Sequence, residues 1–244
     1  MSDHIIIKNV SKTFHSVNGR NIKVLNDLNF KIRYGEIVCL LGPSSCGKST
    51  ILKILAGLTT YTGSLTISES YPKKIAYVFQ KPCLVPWLTV EDNINLVLDV
   101  AQSAAHEPAS HYLNLAKLDG VEDLYPNELS EGMKARAAIA RALSISPNIL
   151  LCDEPFSSLD ELTAMNIRDE IQRIWIKENF SMIFVTHNPL EAAFFSDRVL
   201  VLSKKPTNII SEIKIEINRP RNIQSTELMN ISKEILNALK GNLA

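Results

Sequence analysis

Two groups of residues in this 244-residue chain have the types and spacing to do chemistry. The first is Gly42-Pro43-Ser44-Ser45-Cys46-Gly47-Lys48-Ser49-Thr50. Two glycines five residues apart let a backbone turn with its N–H groups aimed inward, a lysine neutralises β- and γ-phosphates, and the next hydroxyl suits Mg²⁺. The second is Asp153-Glu154. An acidic pair at the tip of a strand can divide two tasks, Asp153 holding Mg²⁺ directly or through its water and Glu154 taking a proton from an attacking water. Taken singly, the first is also a flexible turn with a solvated lysine, and the second a pair of solvated acids at a strand end.

The elements needed to position these groups are legible. Ile37-Val38-Cys39-Leu40-Leu41 is a short, wholly apolar run, which reads as a buried parallel strand leading into the glycine-bearing loop. From Lys48 to Ala56 no breaker intervenes before Gly57, so a helix follows, with its positive end on the anion. Ser45 stands in the middle of the loop; if that position needs positive φ, the loop is slightly strained. Cys46, at the helix N-terminus, is expected to favour its thiolate. Alkylation there should then block nucleotide binding.

Asn148 to Glu154 is a second short buried strand, and Met182 to Thr186 and Val199 to Leu202 are two more. Helices are expected at Glu161 to Asn179, with an Asp169/Arg173 pair at i, i+4, and from Pro189 to Phe195. Strands alternating with helices imply a parallel sheet with right-handed crossovers. Ahead of the loop, Ile5, Ile7 and Val10, and then Leu28, Phe30 and Ile32, alternate with polar residues and predict an antiparallel layer, with Ser11 to His15 as a turn between. Strands are also expected at Ser64 to Ile67 and Ile75 to Phe79. From Pro82 to Pro147 the pattern turns helical, and Ala135, Ala138, Ile139, Ala142 and Leu143 fall on one face of its last helix. Ile213, Ile215 and Ile217 give a last strand, and Gln224 to Leu239 a terminal helix.

Composition fits a globular chain, with 45% hydrophobic and 21% charged residues. The 26 basic and 26 acidic residues cancel, so no broad attraction to nucleic acid is expected. Four cysteines in no paired or metal-ligating pattern read as small buried hydrophobes of a reducing compartment. No basic region precedes an apolar stretch at Met1-Ser2-Asp3-His4, and no run approaches the roughly 20 apolar residues of a spanning helix, so the chain is expected neither to cross a membrane nor to carry its own export signal.

Several motifs in order over nearly the full length resemble the nucleotide-binding subunit of an ABC transporter. The resemblance implies a P-loop NTPase core with a mostly parallel sheet, an antiparallel β layer on the N-terminal side and an inserted α-helical lobe. One domain would span 1–244, with its core at about 1–81 and 148–205, the lobe at about 82–147 and a C-terminal strand and helix at about 206–244. It implies ATP and Mg²⁺ as ligands. Gly42, Pro43, Ser44, Ser45, Cys46, Gly47, Lys48, Ser49 and Thr50 would cradle the phosphates, with Lys48 acting on the reacting one. Ser49, Gln80 and Asp153 would hold the metal, and Glu154 would be the base. Gln80 would also couple to the membrane subunit, His187 would contact the γ-phosphate, and Phe14 would stack on adenine. Ser130 and Gly132, in Leu129-Ser130-Glu131-Gly132-Met133, would meet the nucleotide of a second subunit, as would Asp160 in Ser157-Ser158-Leu159-Asp160. Each of these has a plainer reading alone: a solvated glutamine, a helix-capping histidine, a core phenylalanine. Two departures stand in the signature loop, Glu131 for the usual glycine and Met133 for the common glutamine. An acid beside a phosphate site weakens binding unless it points away.

Pro86-Trp87-Leu88-Thr89-Val90 with Asn93-Ile94, Met133 and Arg219-Pro220-Arg221 resemble the branch that imports nitrate, sulfonates, taurine and similar small solutes. The implied partners are a second copy or a similar ATPase subunit, two polytopic permease subunits and an extracytoplasmic solute-binding protein, with no nucleic acid. The implied location is peripheral, on the cytoplasmic face of the cell membrane. Trp87 and Leu88 suit the groove where a permease helix docks, or else belong to the core of the lobe. Two other readings are a soluble ABC-type ATPase without a membrane partner and a regulatory subunit with little turnover.

Overall fold

The computed structural model describes residues 3–15, 21–70, 73–101, 107–157 and 159–241. In chain order the elements are β1 (Asp3–His15), β2 (Asn21–Arg33), β3 (Ile37–Leu41), α1 (Lys48–Leu55), β4 (Thr62–Ile67), β5 (Ile75–Val78), α2 (Val90–Ala101), α3 (Ala109–Leu115), a 3-10 turn (Pro126–Glu128), α4 (Glu131–Ser144), β6 (Ile149–Asp153), α5 (Glu161–Glu178), β7 (Ser181–Thr186), α6 (Pro189–Phe195), β8 (Arg198–Leu202), β9 (Ile209–Lys214) and α7 (Thr226–Lys240). The architecture is α/β, with mostly parallel strands and a separate antiparallel sheet. The chain forms two compact units, Met1–Lys73 with Ser181–Ala244, and Lys74–Phe180.

In the first unit β3 is central. It runs parallel to β7, from Ile37 opposite Met182 to Leu41 opposite Thr186, and parallel to β8 on its other edge. Both faces are covered, which is why all five of its residues are apolar and buried. β9 closes the edge antiparallel to β8. The antiparallel sheet has the order β2-β1-β4. Leu28, Phe30 and Ile32 are buried while Asn29, Lys31 and Arg33 are exposed, the alternation of a sheet wet on one face.

Three expectations need correction here. Ser11 to His15 is not a turn but the end of β1, paired with β2 as far as His15 opposite Asn21. The last strand is β9, ending at Lys214, so Ile215 and Ile217 both lie outside it. Arg173 reaches Glu170 at 3.3 Å, i, i+3, rather than Asp169.

In the second unit β5 and β6 pair in parallel, Ile75 opposite Ile149. Between them in sequence lie α2, α3 and α4. Ala135, Ala138, Ile139, Ala142 and Leu143 are buried as the periodicity predicts, and so are Ala137 and Ala140. The helix is therefore covered on more than one face, which small side chains permit. No helix among the described residues is long and apolar enough to cross a membrane.

Candidate functional site

The loop after β3 is held from outside by residues the motif does not include. Gly47 sits at φ 118, and a Cβ there would lie 2.7 Å from Val24 Cγ1 and 3.0 Å from Leu25 Cδ2. Only glycine fits both that conformation and that approach. Thr207, fully buried, donates its hydroxyl to the Cys46 carbonyl. Its amide donates to Val24 O (2.8 Å), and its carbonyl accepts from Asn26 N (3.1 Å). Ser45 does take a positive φ of 61, the strained conformation its lack of a glycine implied.

Lys48 is buried and donates to the carbonyls of Gly42 (2.8 Å) and Pro43 (2.9 Å). The ammonium is thus folded back over its own loop, where an incoming anion can exchange for two neutral carbonyls. Ser44 and Ser45 are exposed and Ser49 and Thr50 are half-buried. Cys46 corrects the thiolate expectation: its side chain is only 2% exposed, and burial pushes its thiol up, a push that Lys48 offsets only in part. A helix N-terminus favours a thiolate that water can also reach, and this one it cannot.

In the same unit, β7 ends at Thr186 and delivers His187 to the turn before α6. The cap of that helix is Asn188 and not His187: its side chain accepts from Leu190 N (2.9 Å) and Glu191 N (3.4 Å). The Thr186 hydroxyl accepts from Asn188 N (3.1 Å) and donates to the buried Glu191 carboxylate (2.5 Å). Phe14 is 43% exposed, so it is not a core residue, and Lys12 Nζ lies 4.9 Å from its ring centroid.

The second unit carries the acids. Asp153 ends β6 and is buried. Burial first, and then the Asp153 and Cys152 side chains beside it, push the Tyr77 phenol up. Glu154 is half-buried at φ 49, outside the strand. Gln80 Nε2 donates to its Oε2 at 3.2 Å, so the two residues singled out by sequence meet. The Glu154 carbonyl accepts from the amide (3.2 Å) and hydroxyl (3.0 Å) of Ser157, which fixes the turn. Asp160 caps α5, accepting from Thr163 N at 2.9 Å. That hydrogen bonding holds its carboxyl below the usual range. Ser158, named with it above, lies outside the described residues.

Ser130 caps α4, accepting from Met133 N at 3.2 Å, and Gly132 lies in the first turn. Glu131 reaches out to solvent and pairs with Lys134 at 2.6 Å. Lys134 thus offsets part of the acid's charge. Trp87 is 76% exposed and Leu88 half-buried, which removes the core reading of the tryptophan. Asn93, in the sequence only part of a branch pattern, holds the segment bearing Trp87 through its buried amide. Among the described residues no three His, Cys, Asp or Glu cluster to make a metal cage.

The family model described as ABC transporter matches residues 25–157. The chain belongs to the ABC transporter family. It is 39% identical to the aliphatic sulfonates import ATP-binding protein SsuB of Bacillus cereus, covering 95% of this chain and 94% of that one. It is 38% identical to an uncharacterized ABC transporter ATP-binding protein of Methanocaldococcus jannaschii, covering 96% and 90%. Among solved structures, the ATP-binding cassette MJ0796, a dimer in a post-hydrolysis state bound to ADP and Pi, matches with a TM-score of 0.78 at 30% identity, covering 88% of this chain and 100% of that one. Membership makes this chain an ATP-binding cassette with ATPase activity.

Proposed function

We propose that the chain is the ATPase subunit of an importer for small sulfonate-like solutes, working as a pair with two ATP molecules between the copies. The observation that carries this is the loop at Gly42 to Thr50, whose buried lysine, enforced glycine and following helix make a phosphate cradle. The relatives' importer names support the transport reading, and the dimeric cassettes support the pair.

In this reading Lys48 leaves its two carbonyls for the β/γ-phosphate oxygens, and the loop amides and α1 N-terminus take the remaining charge. Phe14 lays its exposed ring on adenine. Ser49 and Asp153, with Gln80, would hold Mg²⁺, which draws charge from the phosphates when bound. Two or three hard oxygen donors without a full protein cage are what Mg²⁺ on a nucleotide needs. Glu154, oriented by Gln80, accepts the proton of the attacking water, and His187 donates to the γ-phosphate. From the second copy come Ser130, the Gly132 amide at the N-terminus of α4, and Asp160. Closure would move two polytopic permease subunits docked beside Trp87 and Leu88. The system would include an extracytoplasmic solute-binding protein, and the ATPase would sit on the cytoplasmic face of the membrane.

Lys134, 2.6 Å from Glu131, offsets the charge of the unusual acid, which weighs against a regulatory subunit with little turnover. The test is steady-state ATP hydrolysis by the purified chain and its Glu154→Gln variant. Loss of a positioned base lowers kcat by about 10²–10⁴-fold. Equal rates would remove Glu154 from the mechanism. In parallel, Trp87→Ala should abolish co-purification with a polytopic membrane protein while leaving hydrolysis by the isolated chain intact.

A further inference from the structure

The Arg219-Pro220-Arg221 stretch occupies a definite place in the first unit. Arg221 is 5% exposed, and its guanidinium donates to five backbone carbonyls: Ala193 (2.9 Å), Phe194 (3.1 Å), Ser196 (2.6 Å), Ile217 (3.0 Å) and Ile215 (3.4 Å). Arg219 donates to Phe195 O and to the Asp197 carboxylate. Together the two arginines cover the last carbonyls of α6, groups that a helix end leaves without partners.

Helix α6 has seven residues, too few to hold its shape alone. Its N-terminal end is tied to β7 by Asn188, Thr186 and Glu191, and its C-terminal end is tied by the arginines. His187 lies between β7 and the Asn188 cap. The same cluster reaches the base of β3: Asp197 Oδ2 accepts from Ile37 N (2.8 Å), and Asp197 N donates to Ile37 O (2.8 Å). Ile37 begins the strand that ends in the phosphate loop.

Burying a guanidinium is expensive, and an apolar side chain would fill the space at less cost if packing were the only need. Burial, and then the neighbouring Arg219, pull Arg221 down to about 10, so it stays charged at neutral pH. What an apolar residue or a lysine lacks is a planar fork of donors matched to several carbonyls at once.

We infer that Arg221, supported by Arg219, is a positioning residue for His187: by fixing α6 from its C-terminal end, it sets the turn from which the histidine reaches the γ-phosphate. This rests on the reading of His187 given above.

The test uses the full purified chain as wild type, Arg221→Lys, His187→Ala and the double variant. It measures kcat for ATP hydrolysis, affinity for a fluorescent ATP analogue, melting temperature, and the imidazole NMR signal that disappears in His187→Ala. Arg221→Lys should lower kcat about tenfold with affinity within about twofold, the split expected when an interaction is made in the transition state and not on binding. It should also alter the response of the His187 signal to ATP, and it should add less than about twofold in the His187→Ala background. Three outcomes overturn the inference: the same fold loss in both backgrounds, an unchanged kcat and His187 signal, or affinity falling in step with kcat. Wild-type turnover by His187→Ala itself would overturn the reading of the histidine and the inference together, and that variant alone reveals it.

Discussion

Asn93 offers the sharpest check on how the exposed Trp87 is presented. Its side chain is 1% exposed, and its carbonyl accepts from Val85 N at 2.7 Å. Its amide nitrogen donates to Val85 O (3.1 Å), Leu88 O (3.2 Å) and Thr89 O (2.9 Å). One buried amide therefore satisfies four backbone groups between Val85 and Thr89. Asn93→Ala removes these four hydrogen bonds, together with a long one from Arg141 Nη1 to Oδ1. At about 1 kcal/mol net each, with partial rescue by water because Val85, Leu88 and Thr89 are only half-buried, the loss comes to about 2–3 kcal/mol. For a chain of this length that is a fall in melting temperature of roughly 5–10 °C. Asn93→Asp should be at least as damaging despite its equal size, because it turns a donor into an acceptor aimed at three carbonyls, with Arg141 Nη1 at 3.4 Å from Oδ1 as partial compensation. Thermal melts give the magnitude, and hydrogen exchange at the Val85 amide gives the location. A melting temperature within about 1 °C of wild type for both variants, or unchanged protection at Val85, would refute the reasoning.

Two further perturbations have signs fixed by the structure. His4 is buried against Ser181 Oγ at 2.7 Å, and burial lowers its pKa from the ordinary 6.5. The unfolded chain takes up that proton first, so the group's contribution is complete above about pH 6.5 and is lost as pH falls through the lower folded value. Urea midpoints for wild type should therefore drop between pH 7 and pH 5 more steeply than those for His4→Asn, and parallel slopes would count against it. Thiol labelling should find Cys83 first, as the exposed cysteine, with Cys46 reacting slowly and more slowly still with ATP bound. Labelling of Cys46 as fast as Cys83 would contradict its burial.

What the sequence made legible was local in origin. A strand, a glycine-bearing turn and a helix within about twenty residues follow from apolar runs and from breakers, and Gly47 bears this out with its positive φ. Gln80 and Glu154, 74 positions apart, were brought together only because the family order named both. The errors were local as well. Ser11 to His15 lacks the alternation of a half-buried strand, yet β2 supplies its backbone partners across the hairpin. Cys46 sits in the sequence position of an activated thiol, but activation depends on solvent access, which packing decides.

The polar groups that hold the site in place were not legible, for a physical reason. Thr207 bonds the phosphate loop from 161 positions away, and Ser181 reaches His4 across 177. A buried donor or acceptor must find a partner, but the sequence does not say which, since any backbone carbonyl will serve. Arg221 is the clearest instance: five of its acceptors are main-chain carbonyls, which no residue pattern marks, and its carboxylate neighbour Asp197 lies 24 positions earlier at 3.9 Å. A phosphate loop needs its N–H groups fixed before the anion arrives, and a short helix needs both ends tied before it can aim a histidine. In this chain the motif carries the groups proposed to meet the nucleotide, while the segment after β8, far along the chain and outside every nucleotide motif, supplies Thr207 to the loop and Arg219 and Arg221 to the end of α6.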